Sequence, residues 1–204
     1  MTGDSIVPPI PGIFVTVPDF GIQTPQLIRN RGFGYELHVA VAKDGGFHNG
    51  IHRIINPRIP VPRSTILIFH GITGSSDNFL DTSYDGFINE PPTYVGANLA
   101  FELAKRGHDV WLLDQRGTPF SSNNTFYTKN QKEYWQWSLD DIALLDLPAA
   151  VDYVIRYTKR KTIGYIAHSQ VRSEVPLVYK GSRSDSCPGN SGDVHADVSS
   201  RKVQ

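Results

Sequence analysis

The chain has 204 residues, 39% of them hydrophobic and 11% aromatic, which is enough apolar surface for one folded core. Its 20 basic and 20 acidic residues balance without a long run of one sign, so the composition argues against nucleic acid as a partner. The single cysteine, Cys187, excludes an intrachain disulfide, and without a Cys/His cluster the sequence predicts neither a metal nor another cofactor.

Composition divides the chain into three zones. Residues 1–23 are rich in proline and small residues and are expected to form a loosely packed arm. Residues 24–170 have the dense apolar pattern of a globular domain, whereas residues 171–204 are rich in serine, glycine and charge and are expected to be disordered. The N-terminus lacks the features of a signal peptide, and no apolar stretch approaches the roughly 20 residues of a membrane span. The compartment therefore stays unassigned.

The globular zone begins with a predicted hairpin followed by a buried strand. The segments "YELHVAVA" (35–42) and "GIHRII" (50–55) flank the glycine-containing turn "KDGGFHN" (43–49), which is typical of an antiparallel hairpin. The segment "STILIFHG" (64–71) is a short continuous apolar run and predicts a strand buried on both faces.

Helices and strands alternate after this point. Helical spacing of apolar residues predicts helices over 95–108 and 139–160, the second with a kink at Pro148. Apolar runs predict further buried strands at 109–114 and 162–169. This alternation implies right-handed crossovers and a mostly parallel sheet, with the hairpin as its antiparallel edge. The predicted fold class is α/β.

Polar residues follow two of the predicted buried strands, at the sheet edge where ligands bind in such folds. The segment "AHSQV" (167–171) approximates the Gly-x-Ser-x-Gly nucleophile elbow, in which small neighbours allow a serine on a strained strand-to-helix turn. The β-branched Val171 departs from this pattern, so Ser169 as an ordinary turn or cap residue stays an alternative. His70, after the other strand, is better explained as a packed or solvated side chain than as part of an oxyanion hole.

Five segments carry a specific similarity to one family. They are "TPQLI" (24–28), "FHGITGSS" (69–76), "LAFELAKRGHDVWLLDQRGTPFS" (99–121), "YWQWSLDDIALLDLPAAVDYVI" (134–155) and "YIAHSQ" (165–170). In this order they resemble the landmarks of the acid-lipase family, which comprises the gastric and lysosomal acid lipases and their invertebrate relatives. The resemblance implies an α/β-hydrolase that cleaves carboxylic esters of triacylglycerols or cholesterol, in a family whose members are typically secreted or lysosomal.

The resemblance also implies roles for particular residues. The family's elbow, Gly-His-Ser-Gln-Gly, assigns the nucleophile to Ser169, and the backbone N–H groups of Ile72 and Gln170 would form the oxyanion hole. Four other residues match family positions, but a solvated helix or the core accounts for them, and no catalysis is assigned to Asp140, Asp141, Asp146 and Trp111.

A serine nucleophile needs two partners that the sequence does not position. Its hydroxyl must pass a proton to a histidine oriented by a carboxylate, and in this fold both follow the serine in the chain. His168 is expected to point away from Ser169, because neighbouring residues of a strand alternate. The tail offers acids and a histidine in an acceptable order but no strands to hold them, namely Asp185, Asp193, His195 and Asp197. We therefore predict that the triad acid and histidine are missing from this chain.

The sequence thus predicts an incomplete α/β-hydrolase fold that is truncated after the elbow strand. A sheet ending there would expose an unpaired edge, which favours self-association. Three functions stay open. The chain is a lipase of acid-lipase type in a catalytically incomplete form, a non-catalytic binding or regulatory fragment, or an unstable product of a truncated or mis-spliced gene.

Overall fold

One mixed sheet organises the part of the chain that the computed structural model describes, which is residues 23–81, 86–92 and 98–169. Its strands are β1 (Gly34–Ala42), β2 (Phe47–Ile55), β3 (Thr65–Phe69), β4 (Asp109–Leu113), β5 (Asn123–Asn124) and β6 (Gly164–Ala167). They lie in the order β1-β2-β4-β3-β6, and the short β5 pairs with β2.

The helices are short apart from one. They are α1 (Thr24–Asn30), α2 (Leu99–Lys105), α3 (Leu139–Asp141) and α4 (Leu147–Thr158), with a π-helical turn at Ile142–Asp146 between the last two. Single 3₁₀ turns lie at Ser76–Phe79, Pro119–Ser121 and Lys132–Trp135. The predicted arm, all but Gln23, and the predicted disordered tail lie outside the described residues.

Strand directions agree with the predicted mostly parallel sheet. β3 runs parallel to both β4 and β6, and β2 runs antiparallel to β1 and β4. β1, β4, β3 and β6 therefore point the same way and β2 points the other way. The carboxyl ends of β3, β4 and β6 meet at one edge of the sheet, where the loops that follow them carry His70, Asp114 and Ser169.

Both faces of the central strands are covered, which confirms the prediction for β3 and β4. Leu67, Phe69 and Trp111 pack on one face against α4, while Ile68 and Leu112 pack on the other against α1 and α2. All residues of β3 and β4 are buried. Fully burying an aliphatic or aromatic side chain of this kind stabilises the fold by about 1.5–3 kcal/mol, so these two strands contribute substantially to the core.

The hairpin and the helix before β4 differ in extent from the prediction. Phe47–Asn49 belong to β2 and not to the turn, because they continue the antiparallel register with β1 as far as Phe47 opposite Ala42. The helix predicted over 95–108 is observed as α2, which ends at Lys105, and residues 93–97 lie outside the described part of the chain.

The last strand is less buried than its apolar sequence predicts. All four residues of β6 are half-buried, whereas a strand covered on both faces was expected. Within the described residues β6 pairs with β3 alone, so its other edge has no neighbouring strand to shield it.

The long helix is interrupted before Pro148 by a π turn at Ile142–Asp146. Pro148 has no N–H to donate to the carbonyl four residues earlier, and its ring would clash with that carbonyl in a regular α-helix. The wider π turn at Ile142–Asp146 relieves this conflict one turn upstream, and Pro148 then occupies the first turn of α4.

Candidate active site

Ser169 lies on a strained turn directly after β6. The strand ends at Ala167, and Ser169 has a φ of 62° and an exposed side chain. Residues other than glycine rarely adopt this left-handed conformation, and an ordinary cap or turn serine does not require it. A nucleophile elbow does require such a turn, because it lifts the hydroxyl above the sheet edge.

Gly71 packs against this turn from the neighbouring strand. β3 and β6 are paired in register, with Phe69 opposite Ala167, so the loops that follow them leave the sheet side by side. A Cβ added to Gly71 would lie 2.8 Å from the Cβ of Ser169 and 3.2 Å from Nδ1 of His168. Only glycine fits at this position without moving the serine.

Ile72 presents a free backbone donor next to this contact. Its side chain is 47% exposed, and among the described residues its N–H has no hydrogen-bond acceptor. The following residue, Thr73, has a φ of 65°, so the chain turns sharply away from the sheet after Ile72. Gln170, the second predicted oxyanion donor, lies outside the described residues.

His70 holds the loop and does not take part as a base. Its Nε2 accepts a hydrogen bond from the backbone N–H of Gln115 at 3.0 Å, so the proton is on Nδ1, which donates to the carbonyl of Gly71 at 2.8 Å. Burial lowers the pKa of His70 despite the nearby carboxylate of Asp114. Both ring nitrogens are occupied, and the packed role expected from the sequence is the observed one.

Asp114 connects β4 to the same loop from within the core. Its Oδ1 accepts bonds from the backbone N–H of Ser76 at 2.8 Å and from the Ser76 hydroxyl at 2.6 Å. Its Oδ2 accepts from Nε2 of His52 at 3.2 Å, and Nδ1 of His52 accepts in turn from the hydroxyl of Tyr35 at 2.9 Å. The loop after β3 is thereby tied to β1, β2 and β4.

The protonation states of Asp114 and Tyr35 in this buried hydrogen-bond network follow from their contacts. Burial opposes the charge of Asp114, but the bonds from His52 and Ser76 outweigh it and hold its pKa below the ordinary value. Burial raises the pKa of Tyr35 to about 12, so its phenol stays a donor throughout the ordinary pH range. Two features of the sequence signal this network: a histidine within the apolar strand β2 and an aspartate at the end of β4.

A buried ion pair orders the loop after β4. Nε and Nη2 of Arg116 donate to the two carboxylate oxygens of Asp146 at 2.6 and 2.8 Å, and the guanidinium lies 4.5 Å from the ring centre of Phe47. Asp146 is buried in the core, which is one of the two explanations that the sequence left open, and its carboxylate is paired there with an internal cation.

The other residues that match family positions behave as expected. Asp140 is exposed, and Asp141 caps the start of α3 by accepting the backbone N–H of Ser138 at 2.6 Å. Trp111 is fully buried in the core. None of these three side chains is in contact with Ser169.

Of the six histidines that the structure describes, all but His168 are engaged away from Ser169. Five of them bind other groups through their rings: His38, His48, His52, His70 and His108. The expectation that His168 points away from Ser169 stays a prediction. A Cβ added to Gly71 would lie 3.2 Å from Nδ1 of His168, and β6 ends one residue before this histidine.

Comparison with known proteins identifies the class of this fold and site. The sequence pattern of the family described as "alpha/beta hydrolase fold" matches residues 64–170, which contain β3, β4, β6 and Ser169. The chain belongs to the α/β-hydrolase fold family. Its similarity within that family is to acid lipases. It is 33% identical to human "Lipase member K" over 157 residues, which are 75% of this chain and 36% of that protein.

Two further relatives show the same partial match. The chain is 29% identical to "Gastric triacylglycerol lipase" of Bos taurus, over 75% of this chain and 36% of the relative. It is also 29% identical to "Putative lysosomal acid lipase/cholesteryl ester hydrolase" of Crotalus adamanteus, again over 75% and 36%. The chain thus spans little more than a third of the length of the curated relatives that it matches.

Solved structures add a weaker likeness. A predicted CIB-like hydrolase from Thermoplasma acidophilum superposes with a TM-score of 0.40 at 15% identity, covering 72% of this chain and 56% of that one.

In the ranges that the structure describes, no group of three or more histidine, cysteine, aspartate or glutamate side chains could hold a metal ion. Nor does any helix there have the length and apolar character needed to cross a membrane.

Proposed function

We propose that Ser169 is the nucleophile of a carboxylic ester hydrolase of the acid-lipase type, which acts on lipid esters such as those of glycerol or cholesterol. The single observation that carries the proposal is the left-handed turn at Ser169 packed against Gly71. Ser169 would attack the ester carbonyl, and the oxygen that becomes negative would receive hydrogen bonds from the backbone N–H groups of Ile72 and Gln170.

The substrate class rests on the relatives. Their names specify triacylglycerol and cholesteryl ester as substrates of the gastric and lysosomal enzymes, and the similarity covers both the loop after β3 and the elbow. The family match over residues 64–170 includes Ser169 and the loop after β3, and it supports ester hydrolysis as the reaction class. The acyl chain and alcohol that this chain would accept depend on residues outside that similarity.

The supply of a base to Ser169 limits what the described part of the chain can do. A serine hydroxyl is a weak nucleophile until a histidine removes its proton, and the described histidines other than His168 are bound elsewhere. We infer that the chain by itself does not turn over esters. The acceleration left by an oxyanion hole without a triad is small compared with that of a complete triad.

A chimaera tests the proposal directly. Residues 24–170 are joined to the part of human lipase member K that follows its matched region, and hydrolysis of a short-chain ester is measured. We expect activity in the chimaera, none in the native chain, and loss of the chimaera's activity in Ser169→Ala. His168→Ala is the matched control and retains activity. A folded chimaera that is inactive, or one whose activity survives Ser169→Ala, refutes the assignment.

The free edge of β6 supports a second proposal, that the chain self-associates. Among the described residues β6 pairs with β3 alone, and its side chains are half-buried apolar or aromatic groups. An unpaired apolar strand edge favours pairing with another chain. A non-catalytic binding fragment would use the same edge, so a partner strand is common to both functions.

A further inference from the structure

The sheet edge opposite Ser169 carries positive charge that the proposed reaction does not use. A cleft of about 530 Å³ opens there, beside the loop that precedes β3 and the C-terminal end of α2. Four cationic side chains line it: Arg58, Arg63, Lys105 and Arg106. Its other described lining residues are apolar or glycine and include Pro60, Pro92 and Gly107, so no carboxylate is among them.

One nearby carboxylate offsets this charge only in part. Glu102, on α2, pairs with the ammonium of Lys105 and lies 4.0 Å from Nη2 of Arg106. A single negative charge is therefore shared between two cations. The two remaining arginines add their charge to the cleft without a carboxylate partner in the described residues.

Arg63 is held in place and left without an acceptor. Its backbone N–H donates to the carbonyl of Gly107 at 2.8 Å, and its side chain extends over that glycine, with Nε 3.6 Å from where a Cβ would stand. In the described ranges its guanidinium forms no hydrogen bond or ion pair. The exposed side chain of Arg63 thus runs past Gly107 at the cleft wall.

Arg58 lines the other side of the cleft, and no described carboxylate pairs with its guanidinium. Its guanidinium donates to the carbonyl of Ile88 at 2.8 Å and to the side chain of Asn89, both of which are neutral acceptors. These bonds fix the side chain and leave its full positive charge. Arg58 and Arg63 thus place two exposed positive charges on two walls of one cleft.

A neighbouring histidine reports the same positive field. The pKa of His108 is lowered first by burial and then by the charges of Arg63 and Arg106. Its Nδ1 lies 2.8 Å from the hydroxyl of Ser64, so the ring is anchored beside the cleft. The charges of the two arginines therefore act on a side chain that lies beside the cleft.

We propose that this cleft binds a phosphate group. Guanidinium groups match two oxygens of a phosphate with paired hydrogen bonds, and several of them around one concave site favour a multiply charged tetrahedral anion over a single carboxylate. The volume exceeds that of a lone phosphate, so the group belongs to a larger molecule or to a lipid headgroup. The site is separate from Ser169 and does not depend on ester hydrolysis.

The test uses the full chain with two probes. Calorimetry measures binding of inorganic phosphate, and cosedimentation measures binding to phosphatidylglycerol vesicles with phosphatidylcholine vesicles as the neutral reference. We expect Arg63→Gln and Arg106→Gln each to weaken phosphate binding about tenfold, since each removes a charge-assisted contact. Arg156→Gln removes an exposed arginine that does not line the cleft, and it leaves binding unchanged.

The outcomes separate the sources of the phosphate. Calorimetric binding without vesicle binding assigns the cleft to a soluble phosphate ester, and Arg63-dependent binding to the anionic vesicles assigns it to a headgroup. Absence of binding to both probes overturns the proposal. So does binding that falls equally in Arg63→Gln and Arg156→Gln, because the charge would then act without a site.

Discussion

Oδ1 of Asp114 accepts both the backbone N–H and the hydroxyl of Ser76, at 2.8 and 2.6 Å, in the interior of the molecule. The end of β4 is thus bound to the first turn after the loop that carries Gly71 and Ile72. The position of the proposed oxyanion donor therefore depends on a carboxylate from a different strand.

Replacement of Asp114 tests this dependence. Asp114→Ala leaves Ser76 and His52 without their acceptor, and we expect a loss of about 2–4 kcal/mol in the free energy of unfolding measured with urea. Asp114→Asn preserves the shape and one acceptor oxygen, so its loss is smaller. Equal stability of wild type and Asp114→Ala would contradict the structural role.

Acid sensitivity provides a second check on Asp114. Its folded-state pKa lies below the unfolded value of about 3.9, so its charge stabilises the fold above that pH, and this contribution disappears as the pH falls through the folded pKa. The comparison is urea unfolding at neutral and acidic pH for wild type and Asp114→Asn. We expect the gap between the two proteins to narrow in acid, and a gap that widens is the contrary result.

Gly71→Ala tests the contact beneath Ser169. The new methyl group would meet the Cβ of Ser169 at 2.8 Å, so the turn must shift, and we expect destabilisation of about 1–3 kcal/mol. Gly164→Ala is the control, since a Cβ there meets Ile66 at an ordinary 3.5 Å. Thermal unfolding of both variants gives the comparison. If the two substitutions cost the same, Gly71 is not sterically required.

His70 should be neutral with its proton on Nδ1 at neutral pH. Burial depresses its folded-state pKa below the ordinary value of about 6.5, so the unfolded chain binds the proton more readily and stability declines as the pH falls below that value. Two-dimensional ¹⁵N NMR of the imidazole identifies the tautomer and follows its titration. An imidazolium signal from His70 at pH 6.5 would be inconsistent with the buried geometry.

Arg116 and Asp146 form a pair whose members should be costly to remove singly. Arg116→Met and Asp146→Leu each leave a buried charge without its partner, and we expect a loss of about 3–5 kcal/mol for each. The double substitution removes both charges and recovers much of that loss. A double-mutant cycle measured in urea gives the coupling, and simple additivity of the two losses would show that the pair does not interact.

Self-association through β6 predicts a concentration-dependent mass. Light scattering after size-exclusion chromatography should show oligomers or aggregates, because β6 offers an open edge in the described part of the sheet. Hydrogen exchange then locates the interface, with amides at 164–167 slowing as the protein concentration rises. A stable monomer whose 164–167 amides are strongly protected at every concentration refutes the proposal.

The sequence predicts the sheet well because its central strands are apolar on both faces. β3 and β4 lie within one or two residues of the predicted bounds, since continuous apolar runs such as "TILIF" have few alternative placements. The antiparallel hairpin also follows from alternation. The half-buried state of β6 could not be read from its composition, because burial depends on neighbouring strands and not on the strand's own side chains.

The position of Ser169 can be predicted from the sequence, because it depends on the end of one strand. The contacts between buried polar side chains are harder to predict. Ser169 stands out because a strand ends in a serine, whereas the contacts of Asp114 with Ser76 and His52 join three separate segments. For Asp146 the sequence leaves a solvated helix and the core as alternatives. Its pairing with Arg116 could not be predicted, because the pair forms at a π turn that no periodicity reveals. Pairing between side chains far apart in the sequence depends on the complete fold and not on local pattern.

The π turn at Ile142–Asp146 also determines which side chains of α4 face the sheet. One residue beyond the regular spacing rotates the remainder of the helix by about 100°. Ile142 and Leu147 are five residues apart across this turn, and both pack in the core cluster together with Ala150. A one-residue deletion within the turn would rotate Ile142 by about 100° away from the face that Leu147 and Ala150 share.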